Sequence, residues 1–62
     1  MDELKAALSN NGFARPSATL ESVVASTMQD VMYSPGAATN ARILVKYQAQ
    51  YGRMTVAEIM GL

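Results

Sequence analysis

Apolar residues between positions 20 and 31 recur at the spacing of one helix face, with polar residues such as Glu21 and Gln29 opposite them. The apolar set, at positions i, i+3, i+4, i+7, i+8 and i+11, is Leu20, Val23, Val24, Thr27, Met28 and Val31. This pattern is typical of an amphipathic helix that packs against the rest of its chain. We expect this helix to run from residue 19 to residue 33.

A second long helix is predicted over residues 37–51, with Gly52 as its terminator. Ser34 followed by Pro35 is a recognised start signal, and Thr39 is a second possible cap. A connection of about three residues forces two helices to lie side by side, so we expect an antiparallel hairpin.

Short helices are predicted at both ends of this hairpin. Residues 2–9 begin with two acidic residues, which the helix dipole favours, and Gly12 follows as part of a stop signal. Thr55 and Glu58 have the spacing of a capping box, which opens a final helical turn. The predicted fold class is therefore all-α: a small helical hairpin of two main helices with short flanking helices, forming one domain over residues 1–62.

The helix predicted over 37–51 has apolar or small residues around more of its circumference than the roughly one third that one partner helix covers. We expect Leu44 to be buried in the hairpin core together with Val24 and Met28. The excess apolar side is predicted to be an interface with another protein, and its residues are Ile43, Tyr47, Tyr51 and Met54. The alternative is that the two short helices of the same chain cover this side.

Composition favours contact with other proteins. The chain has 62 residues, of which 50% are hydrophobic and 16% are charged. So small a domain buries its apolar surface incompletely, and some of that surface is expected to remain for a partner. The formal net charge is zero, which removes one barrier to self-association. We therefore expect a protein partner, first of all copies of the same chain.

Catalytic and ligand-binding groups do not form a recognisable constellation. Cysteine and histidine are absent, which excludes disulfides and zinc sites built from these residues. The five acidic residues are scattered, and a serine or threonine nucleophile has no histidine to activate it. The glycines stand at helix boundaries rather than in a phosphate-binding loop. We expect no enzyme activity, no cofactor, no metal and no small-molecule substrate.

A weak basic stripe offers an alternative function. Arg42, Lys46 and Arg53 lie along the polar side of the second long helix and its end, and they could face phosphates. The alternative is a small nucleic-acid-binding or regulatory helical module. Three positive charges give only weak, salt-sensitive binding, so nucleic acid is the less favoured partner.

The sequence gives little information on location. The longest strongly apolar run, residues 43–45, is far too short to span a bilayer. The first residues have neither the basic region nor the apolar stretch of a secretory signal peptide. The cytoplasm is the default expectation, and export without such a signal stays open.

Two resemblances concern parts of the chain. The stretch from Arg53 to Leu62 resembles the first helix of a helix-turn-helix, as in excisionase or MerR-type domains. The hairpin with proline at the bend, followed by Lys46 and Tyr47, is similar over about half of the chain to needle or inner-rod subunits of type III secretion systems. Needle subunits usually keep one long helix to the last residue, whereas Gly52 interrupts this one. The chain is assigned to neither family.

Overall fold

The fold is all-α, as predicted. A computed structural model describes residues 2–62, and within this range it contains four α-helices and no strand. The helices are α1 (Asp2–Ser9), α2 (Leu20–Asp30), α3 (Ala37–Tyr51) and α4 (Val56–Met60). The long helices α2 and α3 form the predicted hairpin, and α1 packs on α3 from a second direction. None of these helices, taken over the described residues, has the length and apolar character needed to cross a membrane.

Hydroxyl caps fix the starts of α2 and α4. The Thr19 side chain accepts a hydrogen bond from the backbone N–H of Ser22. The predicted capping box of α4 is confirmed: Thr55 Oγ1 accepts from Glu58 N at 3.2 Å, and Glu58 Oε1 accepts from Thr55 N at 2.9 Å. These hydrogen bonds lower the pKa of the Glu58 carboxyl group, with the backbone donor as the larger cause. Gly61 ends α4 in the left-handed conformation that glycine adopts easily.

The connection between α2 and α3 differs from the prediction in two details. Helix α2 ends at Asp30 rather than at residue 32 or 33, because the chain tightens into turns in which Tyr33 N donates to Asp30 O. Helix α3 has Gly36 as its cap, so the predicted caps Ser34 and Thr39 are wrong. Backbone carbonyls, including that of Ser34, accept from the first amides of α3, and no hydroxyl is needed there.

The core lies where all four helices meet. Leu44 of α3 is fully buried and Val24 of α2 is 5% exposed, as predicted. The remaining core cluster comes from α1, α2 and α4 and consists of Leu4, Ala7, Leu8, Leu20, Val23, Val56 and Ile59. The prediction that Met28 is buried is wrong, since this side chain is 51% exposed. Met28 lies at the edge of the apolar face of α2, beside an open groove rather than under another helix.

Two segments that are far apart in sequence pair through their backbones, and we call residues 16–21 and 52–57 the backbone clasp. Leu20 N donates to Met54 O at 2.9 Å, and Val56 N donates to Ala18 O at 2.8 Å. Gly52 belongs to the clasp and is buried. A Cβ atom at Gly52 would lie 2.5 Å from the carbonyl oxygen of Gln48, so the end of α3 requires glycine for close approach rather than for a left-handed conformation.

Candidate functional site

The first candidate surface is the one predicted as an interface, which we call the α1 side of α3. Ile43, Tyr47, Tyr51 and Met54 are all half-buried there, and all pack against the core of their own chain. Helix α1 packs on α3. Met54 belongs to the 52–57 segment of the backbone clasp, which follows α3. The chain itself therefore covers part of the apolar excess that the sequence indicates. A contact between these four residues and a partner stays a prediction.

Polar and aromatic contacts close the edge of the α1 side. Lys46 Nζ donates to Glu3 Oε1 at 3.2 Å, which joins α3 to α1 through an exposed ion pair. The same Nζ lies 5.4 Å from the centre of the Tyr47 ring, and the rings of Tyr47 and Tyr51 are 6.2 Å apart in a tilted arrangement. The hydrogen bond to Glu3, followed by the charge of that carboxylate, raises the pKa of Lys46 above its ordinary value.

The second candidate surface is an open apolar groove between α2 and α3, which we call the α2–α3 groove. Its volume is about 460 Å³, and its apolar lining consists of Met28, Val31, Ala38, Ala41 and Val45. Val45 is 45% exposed although its neighbour in sequence, Leu44, is fully buried. Met32, which follows the groove residue Val31 in sequence, is 80% exposed. Apolar side chains that stay this accessible in a small domain are typical of a protein contact surface.

The polar lining of the α2–α3 groove is entirely basic. Arg42 and Lys46 complete its wall, and the groove residues, all of which lie within 2–62, include no carboxylate. The predicted basic stripe is therefore divided. Arg53 lies in a different cleft, which it shares with Glu21 and Gln48. A ligand in the α2–α3 groove meets Arg42 and a Lys46 that is already paired with Glu3.

Sequence reasoning missed the α2–α3 groove, although its residues carry a signal. Ala38, Ala41 and Val45 have the i, i+3, i+7 spacing of one helix side, and Met28 and Met32 have i, i+4 spacing. Small side chains at 38 and 41 leave a depression between the helices that no larger residue fills.

A third cleft is polar and has a structural explanation. Asn11 Nδ2 donates to Thr27 Oγ1 at 2.7 Å, and this hydroxyl in turn donates to Val23 O at 2.8 Å. Thr27 is 2% exposed, and these bonds satisfy its hydroxyl inside the core. Asn11 thereby holds the segment after α1 against α2. In the part of the chain that the structure describes, acidic residues do not gather in a group that could hold a metal ion.

Comparison with known proteins adds no assignment. No protein family, no curated protein and no solved structure matches this chain. The fold itself defines the class as a small all-α globule with four helices in residues 2–62. Its function has to be argued from the two sides of α3.

Proposed function

We propose that this protein is a non-catalytic interaction or assembly subunit, and that α3 is its contact element. Its partners are proteins, and copies of the same chain are included among them. The contact helix is the one that the sequence indicates, residues 37–51. Its main contact surface is the α2–α3 groove rather than the α1 side.

The observation that carries this proposal is the exposure of the apolar groove lining. Met28 and Val45 are 51% and 45% exposed, and both line a groove of about 460 Å³. Burial of apolar surface is the dominant favourable contribution to most protein association, at about 25 cal/mol for each Å² buried. The α1 side offers less, because its four residues already pack on the core.

The alternative nucleic-acid-binding function gains no support from the geometry. Arg53 is separated from Arg42 and Lys46, and the ammonium group of Lys46 is paired with Glu3. A surface with so few free cations gives weak binding to a phosphate backbone. We therefore propose no nucleic-acid partner.

The proposal is tested by absolute molar mass in solution across concentration, for the wild-type chain and three single variants. Val45→Glu places a charge in the α2–α3 groove, and Tyr47→Glu places one on the α1 side. Gln50→Glu makes the same change at an exposed position of α3 outside the groove. Circular dichroism of each variant shows whether the helices remain.

We expect the wild-type chain to associate at high concentration and Val45→Glu to lower its molar mass without loss of helix. Gln50→Glu is expected to leave the mass unchanged. A loss of mass in Tyr47→Glu alone would return the contact to the α1 side. A wild-type chain that stays monomeric at about millimolar concentration, a weak binding regime, would remove self-association from the proposal.

A further inference from the structure

We propose that the α2–α3 groove binds an amphipathic helix of another protein, one that carries carboxylates beside its apolar anchors. This inference rests on the proposed function and specifies the partner of that same site. It is carried by the shape of the groove, by the charge of its wall and by the way α1 binds to α3 within the chain.

The shape of the groove suits a helix. Ala38, Ala41 and Val45 line it along about two turns of α3, and Met28 of α2 also belongs to its lining. A helix lying in such a groove presents side chains at i, i+3, i+4 and i+7 to the apolar floor. Methionine adapts its shape to different apolar side chains and is common on surfaces that accept helices.

The charge of the groove wall selects the partner. Arg42 lines the groove without a carboxylate partner in residues 2–62, whereas Lys46 is paired with Glu3, so it is Arg42 that attracts an acidic helix and repels a basic one. A second copy placed groove to groove about a two-fold axis would bring Arg42 near its own counterpart. Like charges facing each other in an interface are unfavourable, which argues for a partner other than the same groove.

Within the chain, the contact between α1 and α3 already combines buried apolar residues with an ion pair. Helix α1 is an acidic amphipathic helix that packs on α3, buries Leu4 and Leu8, and places Glu3 at 3.2 Å from Lys46. The α2–α3 groove is also lined by apolar residues and by Lys46, with Arg42 in addition. Because Leu4 and Leu8 are buried in the core of their own chain, α1 is not available to fill the groove.

The test uses a fluorescein-labelled peptide of about 18 residues, since isolated helices much shorter than this are marginal. It carries leucines at i, i+3, i+4 and i+7, with glutamates on both flanks of the leucine stripe. Two matched peptides replace the glutamates by glutamines or by lysines. Binding to the full chain is measured by fluorescence anisotropy at low and at high salt.

We expect the glutamate peptide to bind about tenfold more tightly than the lysine peptide at low salt, with a smaller ratio at high salt. Val45→Glu should abolish binding of the glutamate peptide. Arg42→Glu should reverse the order of the glutamate and lysine peptides. Arg53→Glu makes the same change of net charge outside the groove and should preserve the order.

Equal affinity for the three peptides, or no binding of any, would overturn the inference. The same holds if Arg53→Glu changes the order as much as Arg42→Glu does, because the effect would then follow net charge alone. Self-association that Val45→Glu removes, without peptide binding, would overturn the acidic-helix partner and leave the proposed function intact. A monomeric chain that binds no peptide would overturn both.

Discussion

The two sides of α3 differ in what covers them. On the α1 side, Tyr47 and Tyr51 are half-buried against the core, and the ion pair between Lys46 and Glu3 joins α3 to α1. On the groove side, Val45 is 45% exposed and no helix of residues 2–62 lies over it. The difference shows that apolar excess on a helix does not itself locate an interface. Helix α1 packs on α3 and leaves its groove side open.

The largest effect on stability is expected from one of two neighbouring residues of α3, Leu44 and Val45. Leu44→Ala should cost about 2–5 kcal/mol of unfolding free energy, because it leaves a cavity in the core. Val45→Ala should cost less than about 1 kcal/mol, because the side chain is nearly half exposed and alanine is the better helix former. Urea denaturation followed by circular dichroism measures both values.

The two variants together are decisive. Equal losses for Leu44→Ala and Val45→Ala would mean that the groove side of α3 is packed as tightly as the core. The groove would then not be an open surface, and the contact proposed for it would fail with it.

A smaller effect is expected from the cap of α4, which brings Val56 and Ile59 into the core. Thr55→Ala removes one partner of the capping box and should cost about 0.5–2 kcal/mol of unfolding free energy. Thr39→Ala is the control, because this exposed threonine lies inside α3 and caps nothing. Thermal or urea unfolding of the two variants gives the comparison.

We expect Thr39→Ala to be neutral or slightly stabilising, since alanine has the higher helix propensity. If Thr39→Ala were as destabilising as Thr55→Ala, the Thr55 side chain would have no special role at the start of α4. The packing of the terminal segment would then depend on its apolar residues alone.

The smallest effect is expected from the ion pair at the edge of the α1 side. The pKa of Lys46 is raised in the folded chain, so the pair stabilises the fold below the ordinary lysine pKa of 10.5 and is lost as the pH rises through the raised value. Both side chains are exposed, and exposed pairs contribute little. The measurement is the urea midpoint of wild type and Lys46→Gln from neutral to alkaline pH.

The stability difference between these two chains should shrink once the pH passes the raised pKa of Lys46. Lys5→Gln, which removes the same charge from an exposed residue of α1, should show no comparable change. A constant difference at every pH would assign the effect to the aliphatic stem of Lys46 rather than to its pair with Glu3.

Local signals in the sequence predict the helices well. The helices predicted over residues 2–9 and 37–51 end where their stop signals indicate, and the Thr55–Glu58 capping box forms as its spacing indicates. Each of these features depends on residues within a few positions of one another. Such short-range interactions are the ones that a sequence pattern records directly.

The candidate site was less predictable because it depends on long-range packing. The apolar stripe of α2 includes Met28. The pattern alone does not show which residues at the edge of this stripe are covered by another helix. Likewise, the apolar excess on α3 predicts an interface at Tyr47, but the sequence does not show how much of this side the short flanking helices cover. Tyr47 packs on the core of its own chain instead, and Met28 and Val45 are among the apolar residues that stay more exposed.

The backbone clasp has a consequence for the order of folding. Its two segments are distant in sequence, and closing so long a loop costs conformational entropy unless the intervening chain is already compact. The short connection of the hairpin brings Leu20 and Gly52 close before the clasp forms, so we expect the clasp to close late. A contact that forms last is the first to open, so exchange of the amide protons of Leu20 and Val56 with solvent deuterium should report opening of the clasp while the hairpin stays folded, whereas exchange at Tyr33 reports local fluctuations.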